Sequence, residues 1–362
     1  MIHFTDKQWE KVRGNYRKWW KNQLHRPILP CIFWKRDPQR ATSKYPLLSY
    51  ENVHDFSITP EQIIDRFDYE LSCYEFYGDA FPLMSMTQFG PSVISAFLGA
   101  ELHNSKDTVW FEVPKKIPIS ELNLEYDESN LWLNRVLSIY RAGMKRWRGD
   151  VVMGMTDLSG VLDIIAPFVG TEELLFALYD EPEQVKRVIA QVQKLWLRFF
   201  REILDILQGS QGYSDWSSIY HEEPSYMLQC DFSYMISPEM FQDFVVGELN
   251  DTASHMTNAF YHLDGIGELP HLDSLLSCEH IKGIQWVPGE GEPLQRDWSE
   301  VFSRISEAGK KIQAYYNLDF HLDEILKVIE RADDLVKMQF SYPYQDRDAI
   351  KRRMREQYGV DE

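Results

Sequence analysis

Residues 258–288, NAFYHLDGIGELPHLDSLLSCEHIKGIQWVP, decide the fold of this chain. Two short apolar runs, 259–261 and 281–287, flank an apparent helix, and polar residues stand where each run ends. Side chains alternate along a strand, so His262 and Asp264 point the same way if the first strand persists. A histidine and a carboxylate that share a face at the carboxyl end of a strand indicate a site for chemistry. The alternative is a β-turn around Asp264-Gly265 with His262 merely hydrogen-bonded in the core.

The composition is that of an ordinary globular protein with an acidic surface. At 362 residues the chain is long enough for one large α/β barrel or two domains. Its aromatic fraction of 14% is high, and aromatic residues line apolar ligand pockets as well as cores. The net charge of −18 argues against a nucleic-acid partner, because a phosphate backbone requires a basic face. It also disfavours binding to an anionic membrane.

The cysteines and the N-terminal residues indicate a reducing compartment. The cysteines form no CxxC pair, so neither a disulfide framework nor a structural zinc site is predicted for Cys31, Cys73, Cys230 and Cys278. The first 20 residues lack the apolar core of a secretory signal, and no long apolar span follows. We therefore expect a cytoplasmic protein.

Eight strand candidates occur along the chain, and helices separate nearly all of them. They begin near Ile28, Phe81, Val151, Tyr226, Ala259, Ile281, Ile312 and Leu335. This alternation predicts parallel βαβ units, and eight units predict an α/β protein with a (β/α)8 TIM barrel. We expect one domain over residues 1–362, with extra N-terminal helices that begin with a helical extension at 1–27. A doubly wound open sheet is the alternative, but no GxGxxG motif follows the first strand and no Walker loop occurs.

Local signals place several helices. Thr5 and Thr59 each begin a capping-box pattern, and Pro60 occupies the favoured first helical position. The second of these helices is predicted to run to about Tyr77. A long helix is predicted at 182–207, and a small hairpin is predicted within 101–127.

Barrel active sites are assembled from the loops at the carboxyl ends of the strands. The candidates for catalysis are the carboxylates and the histidine at those ends: Asp157, Asp231, His262 and Asp264. The candidates for substrate binding are amides and aromatic residues at the same edge: Trp34, Gln88, Gln285, Trp286, Tyr316 and Asn317. Ser341 ends the last strand. The aromatic members suit a flat or methylated cationic ligand through cation–π contact, or else pack the mouth of the barrel.

The order of these features resembles the uroporphyrinogen decarboxylase-like superfamily of (β/α)8 barrels. The closest resemblance is to its methyltransferase-like branch, which includes the corrinoid-dependent methylcobamide:thiol methyltransferases. The segments that carry the resemblance cover most of the chain in order: PEQIIDRFDYELSCYEFYGD (60–79), FGPSVISAFLGAE (89–101), MTDLSGVLDIIAPFVG (155–170), LYDEPEQV (178–185), LQCDFSYMISPEMFQDFV (228–245), YHLDG (261–265) and IKGIQWVPGEG (281–291).

The resemblance implies a zinc site, but this chain has different residues at two of the ligand positions. Thiol-activating members of the branch bind zinc through His-x-Cys at the position that matches His262 and Asp264, together with a late cysteine near the last strand. Here Asp264 replaces the first cysteine, and the last strand, KMQFSYP, carries Ser341 and no cysteine. Zinc accepts histidine and aspartate, so His262 and Asp264 stay metal-ligand candidates. Asp231, Asp157 and His321 are further candidate ligands for such a metal.

Three functions follow from these features. The first is a methyltransferase that moves a methyl group between a small molecule, or a corrinoid carried by a partner protein, and an acceptor. A metal would lower the acceptor's pKa, or Asp264 would orient His262 as a general base. The second is a decarboxylase or lyase in which Asp157 or Asp231 handles a proton and Lys35-Arg36 hold a carboxylate. The third is a non-catalytic ligand-binding barrel. A homodimer is compatible with each of them.

Overall fold

The computed structural model describes residues 2–37, 40–289, 291–292, 296–314, 326, 336–342 and 344–360, with the backbone alone for 314, 336–342 and 344. Its first helices are α1 (Asp6–Trp20), α2 (Pro60–Ser72), α3 (Val93–Phe97), α4 (Leu131–Trp147), α5 (Val161–Val169), α6 (Thr171–Asp180) and α7 (Pro182–Leu207). They are followed by α8 (Pro238–Phe244), α9 (Val246–Ser254), α10 (Leu272–Ser277), α11 (Ser299–Glu307) and α12 (Arg347–Tyr358). None of these helices combines the length and the apolar character needed to cross a membrane.

The capping predictions are confirmed. Thr5 and Thr59 accept from the backbone N–H three residues on, and the side chains of Gln8 and Gln62 return the bond. The long helix α7 begins and ends where its apolar period predicts, and buries one face that includes Val192, Trp196 and Phe199.

The strands confirm the predicted series in order. They are β1 (Ile28–Lys35), β2 (Tyr74–Gly78), β3 (Leu83–Met84), β4 (Glu101–Asn104), β5 (Val109–Glu112), β6 (Val152–Met153), β7 (Met227–Leu228), β8 (Ala259–Asp264), β9 (Ile281–Val287), β10 (Lys311–Ala314) and β11 (Val336–Tyr342). A seven-stranded sheet has the order β2-β1-β11-β10-β9-β8-β7, and every pair in it except β1–β2 is parallel. The last strand therefore returns to lie beside the first. The predicted hairpin is the antiparallel pair β4–β5.

Two of the predicted strands form a separate parallel pair, β3–β6. Within the described residues, no hydrogen-bonded ladder joins this pair to β7 or to β1, so the ring of strands is not closed by backbone pairing. Two gaps result, one between β6 and β7 and one between β3 and β1. The segment before β7 lies in the first of them. The Met155 N–H donates to the carbonyl of Ser214, and the Asp215 carboxylate accepts from the N–H of Met227 at 2.6 Å. The Asp215 side chain therefore accepts a hydrogen bond from a backbone N–H that would otherwise pair with a neighbouring strand.

β2 pairs with the edge of β1 that faces the second gap. The sequence prediction assigned these residues to the end of a helix. That prediction is wrong: α2 ends at Ser72, and residues 74–78 pair antiparallel with β1. Their aromatic composition suits a pleated surface, and the free edge of β1 decides the outcome. Gly78 ends the strand at φ +69, where a Cβ would lie 2.4 Å from the carbonyl oxygen of Pro30. Only glycine fits this approach.

The helix α1 covers the amino ends of the strands. Trp19 stacks on Phe260 at 6.1 Å between ring centroids, and the Lys311 ammonium lies over the Trp19 ring. Because Phe260 and Lys311 lie at the amino ends of β8 and β10, the opposite, carboxyl edge is the one left for a site.

Candidate functional site

His262 and Asp264 lie on one face of β8, as the alternation of side chains predicts. Nε2 of His262 is 3.7 Å from Oδ2 of Asp264. The imidazole is mostly buried, with 14% of its side-chain surface exposed, whereas the Asp264 side chain is 42% exposed. The pair therefore joins a fixed ring to a carboxylate that meets solvent.

Two neighbours hold the His262 ring. Nδ1 lies 2.5 Å from Oε1 of Gln285, the residue in register with His262 on β9. The indole of Trp216 meets the ring edge to face, at 5.0 Å between centroids and 88° between planes. Gln285 is fully buried, so its amide must find its hydrogen-bond partners within the protein.

Asp157 and Asp231 follow β6 and β7 and belong to the same electrostatic cluster as His262. Burial raises the pKa of Asp157 to about 8; the Asp231 charge adds to this, and His262 opposes it. Burial also raises the pKa of Asp231, His262 lowers it, and Asp264 raises it. Asp231 is exposed to solvent at the carboxyl end of β7.

The pKa of His262 reflects the same neighbours. Burial lowers the pKa of the imidazole, but the contact with Asp264 and the charges of Asp231 and Asp264 outweigh burial. The net result is a pKa above the ordinary histidine value. An imidazole with a raised pKa is a stronger base.

Two further carboxyl groups belong to the cluster and were missed by the sequence analysis. Asp163 at the start of α5 accepts from the N–H groups of Gly160, Asp231 and Phe232, at 3.2, 3.1 and 2.7 Å. Burial and the Asp231 charge nevertheless raise its pKa to about 7. A carboxylate inside the apolar run GVLDIIAP was the available signal.

Glu268 is the second missed residue. It is 1% exposed, and its Oε2 accepts from the Asp264 N–H at 3.1 Å. Burial and the Asp231 charge raise its pKa well above the ordinary value. Glu268 therefore holds the backbone of Asp264 through this hydrogen bond. No local sequence pattern marks Glu268.

The predicted binding residues have mixed placements. Trp34 and Trp286 are both fully buried; Trp34 packs on Tyr77, and Trp286 packs on Trp298. Gln88 follows β3, and its Oε1 is buried without a hydrogen-bond partner among the described residues. Thr156 Oγ1 donates to the carbonyl of Met86, which ties this segment to the one that carries Asp157. Tyr316, Asn317 and His321 lie outside the described residues, as does the side chain of Ser341.

The described residues do not fit a zinc ion. No three His, Cys, Asp or Glu side chains among them are arranged to share a metal. Cys230 is buried, and burial together with the charges of Asp163, Glu268 and Asp231 raises the pKa of its thiol well above the ordinary value. We therefore derive no step through a metal at His262 and Asp264.

These features define an α/β protein whose acidic and histidine side chains gather at the carboxyl edge of parallel strands. No model of a known protein family matches the sequence. No curated protein matches it either.

Among solved structures, the chain is similar to a methyltransferase from Methanosarcina mazei. The two share 12% sequence identity with a TM-score of 0.53, over 84% of this chain and 90% of the other. A likeness at this identity shows a common fold.

Proposed function

We propose that the protein is a methyltransferase-like enzyme of the uroporphyrinogen decarboxylase superfamily, built on a (β/α)8 barrel. It would transfer a methyl group from a small molecule, or from a corrinoid on a partner protein, to an acceptor. The observation that carries this proposal is the His262 imidazole, held through Nδ1 with Nε2 at the carboxyl edge beside Asp264. The fold shared with a methyltransferase supports it.

In the proposed reaction His262 is the general base. The acceptor group loses its proton to Nε2, its lone pair attacks the methyl carbon, and the bond between that carbon and the donor breaks with its electron pair going to the donor. Asp264 and Asp231 stabilise the imidazolium that results, which is what the raised pKa of His262 expresses. The aromatic ring of Trp216 limits the movement of the base.

A second candidate, a decarboxylase or lyase, is favoured by one specific observation. Burial raises the pKa of Asp157 to about 8 and that of Asp163 to about 7. A carboxyl group with a pKa near neutrality exchanges a proton efficiently at physiological pH, and such a group can protonate a carbanion left by carbon dioxide.

One experiment separates the two candidates. The protein is incubated with methylcobalamin and a panel of thiol and amine acceptors, and in parallel with a panel of small carboxylic acids. Methylated acceptor is measured by mass spectrometry and carbon dioxide by trapping.

We expect methyl transfer that is lost in His262→Gln and kept in His54→Gln, a matched change at an exposed histidine. Carbon dioxide release without methyl transfer, sensitive to Asp157→Asn, would replace the proposal with the lyase. Binding of a panel member without turnover would favour a ligand-binding barrel.

A further inference from the structure

Three residues form a row across neighbouring strands at the level of the candidate base. His262 on β8 is in register with Gln285 on β9, and Gln285 is in register with Gln313 on β10. Side chains in register on adjacent parallel strands point to the same face of the sheet. Both glutamines are buried, at 0% and 5% exposure, so their amides must find partners within the protein.

The row ends on a group that can only accept. Nε2 of Gln313 lies 2.8 Å from the backbone carbonyl oxygen of Ser217. The segment that carries this carbonyl is itself fixed, because Asp215 accepts from both the N–H and the hydroxyl of Ser217 and from the N–H of Met227. The anchor of the row is therefore rigid.

This anchor sets the direction of every hydrogen bond in the row. A carbonyl oxygen accepts, so the Gln313 group that faces Ser217 is the amide NH2, and Oε1 of Gln313 faces the other way. Gln285 Nε2 donates to that oxygen at 2.8 Å, which turns Oε1 of Gln285 towards His262. An amide oxygen also only accepts. The hydrogen on this side of the ring therefore sits on Nδ1 of His262.

The other ring nitrogen faces titratable groups. Nε2 lies 3.7 Å from the carboxylate of Asp264, and the charge of Asp231 acts on the ring as well. The charge of His262 lowers the pKa of Asp157, so the two groups interact electrostatically. Nε2 therefore faces the partly exposed carboxylate of Asp264, on the opposite side of the ring from the glutamines.

We propose that Gln285 and Gln313 are positioning residues that hold neutral His262 in the tautomer with its hydrogen on Nδ1. Nε2 is then the nitrogen that takes up and releases the proton. The role as a base rests on the proposed function, whereas the tautomer follows from the hydrogen-bond row alone.

The test measures the tautomer directly, by NMR of protein labelled with ¹⁵N-histidine. His262→Gln identifies the signals, and spectra are recorded above the pKa of His262. We expect Nδ1 to appear as the protonated nitrogen and Nε2 as the unprotonated one. In Gln313→Leu, which does not touch His262, Gln285 is free to rotate its NH2 towards Nδ1. The tautomer then shifts towards hydrogen on Nε2, and Gln285→Leu, which removes the acceptor, gives the same shift.

Matched variants control for packing. Gln193→Leu removes a partly buried glutamine on α7, whose Nε2 donates to the carbonyl of Glu248 and to Asp251 outside the row, and we expect it to keep the wild-type tautomer. Gln285→Glu keeps an acceptor at Nδ1 and retains the tautomer even if a leucine variant fails to fold. Hydrogen on Nε2 in the wild-type protein, or an unchanged tautomer in folded Gln313→Leu, would overturn the proposal.

Kinetics separate this inference from the proposed function. If His262 is the base, kcat falls roughly 10- to 100-fold in Gln285→Leu and in Gln313→Leu while KM changes little. A protein that has the expected tautomer but transfers no methyl group rejects the proposed function and leaves the positioning row intact.

Discussion

His262 Nε2 and Asp264 Oδ2 lie 3.7 Å apart on the same face of one strand. That separation permits an ion pair and is too long for a hydrogen bond. The carboxylate therefore stabilises a proton on Nε2 without occupying the nitrogen, so an acceptor group can still reach it. This relationship makes the pair suited to proton uptake.

Replacing Asp264 by asparagine is expected to lower the pKa of His262, because the contact with the carboxylate raises it. NMR titration of the His262 ring, assigned with His262→Gln, measures the shift. Asp150→Asn changes an exposed aspartate elsewhere on the surface and should leave the titration unchanged. A His262 pKa that is equal in wild type and Asp264→Asn contradicts the electrostatic contact.

His262→Gln is expected to lower kcat/KM for methyl transfer by roughly 10²- to 10⁴-fold, the usual contribution of a general base. In the wild type the rate rises with pH as the imidazole loses its proton, through the raised pKa of His262. The same rising limb moves to lower pH in Asp264→Asn. A pH profile measured for both proteins checks this, and an unmoved limb argues for a base other than His262.

Asp157→Asn is expected to stabilise the protein at alkaline pH. The pKa of Asp157 is about 8 in the folded protein, far above its ordinary value, so the folded state holds a proton that the unfolded state has lost. Stability therefore falls as pH rises from the ordinary value to the folded value. Asparagine has no charge to bury and still accepts from Ser159 N–H through Oδ1.

The gain in the free energy of unfolding should be on the order of 2 kcal/mol at pH 8.5 and near zero at pH 4. Urea unfolding at the two pH values measures it. Asp150→Asn should show no comparable pH-dependent gain. Equal stability of Asp157→Asn and wild type at pH 8.5 would show that Asp157 ionises without cost.

Asp79→Ala is expected to lower the free energy of unfolding by about 3–5 kcal/mol, because it leaves a buried guanidinium without its partner. Asp79 is fully buried. Its carboxylate accepts from the Arg26 guanidinium at 2.5 Å and from Asn15 Nδ2 at 2.7 Å. Asp273→Ala removes an exposed partner of Arg304 and should cost less than about 1 kcal/mol. Urea unfolding of both variants compares the two pairs.

Much of the fold was predictable because local patterns carry it. The capping residues Thr5 and Thr59, the span of α7 and the order of the strands all follow from periodicity and turn chemistry. β2 was missed because its residues suit a helix end as well as a strand. The free edge of β1 decided between them.

The candidate site was predictable only in part. The shared face of His262 and Asp264 follows from the alternation of one strand. Asp163 and Glu268 reach the cluster from helical and loop segments through contacts with backbone N–H groups. A carboxylate inside an apolar run was the signal for Asp163, whereas no local pattern marks Glu268.

By itself the sequence determined which side chains end each strand, because the spacing of apolar residues and the turn residues that follow them are local properties of the chain. The tertiary structure alone decided their neighbours. Register between strands placed Gln285 beside His262 and Gln313 beside Gln285. The packing of the segment before β7 brought the Ser217 carbonyl to the end of that row. The pKa of His262 likewise depends on charges from other segments, because burial and distance are set only when the strands assemble.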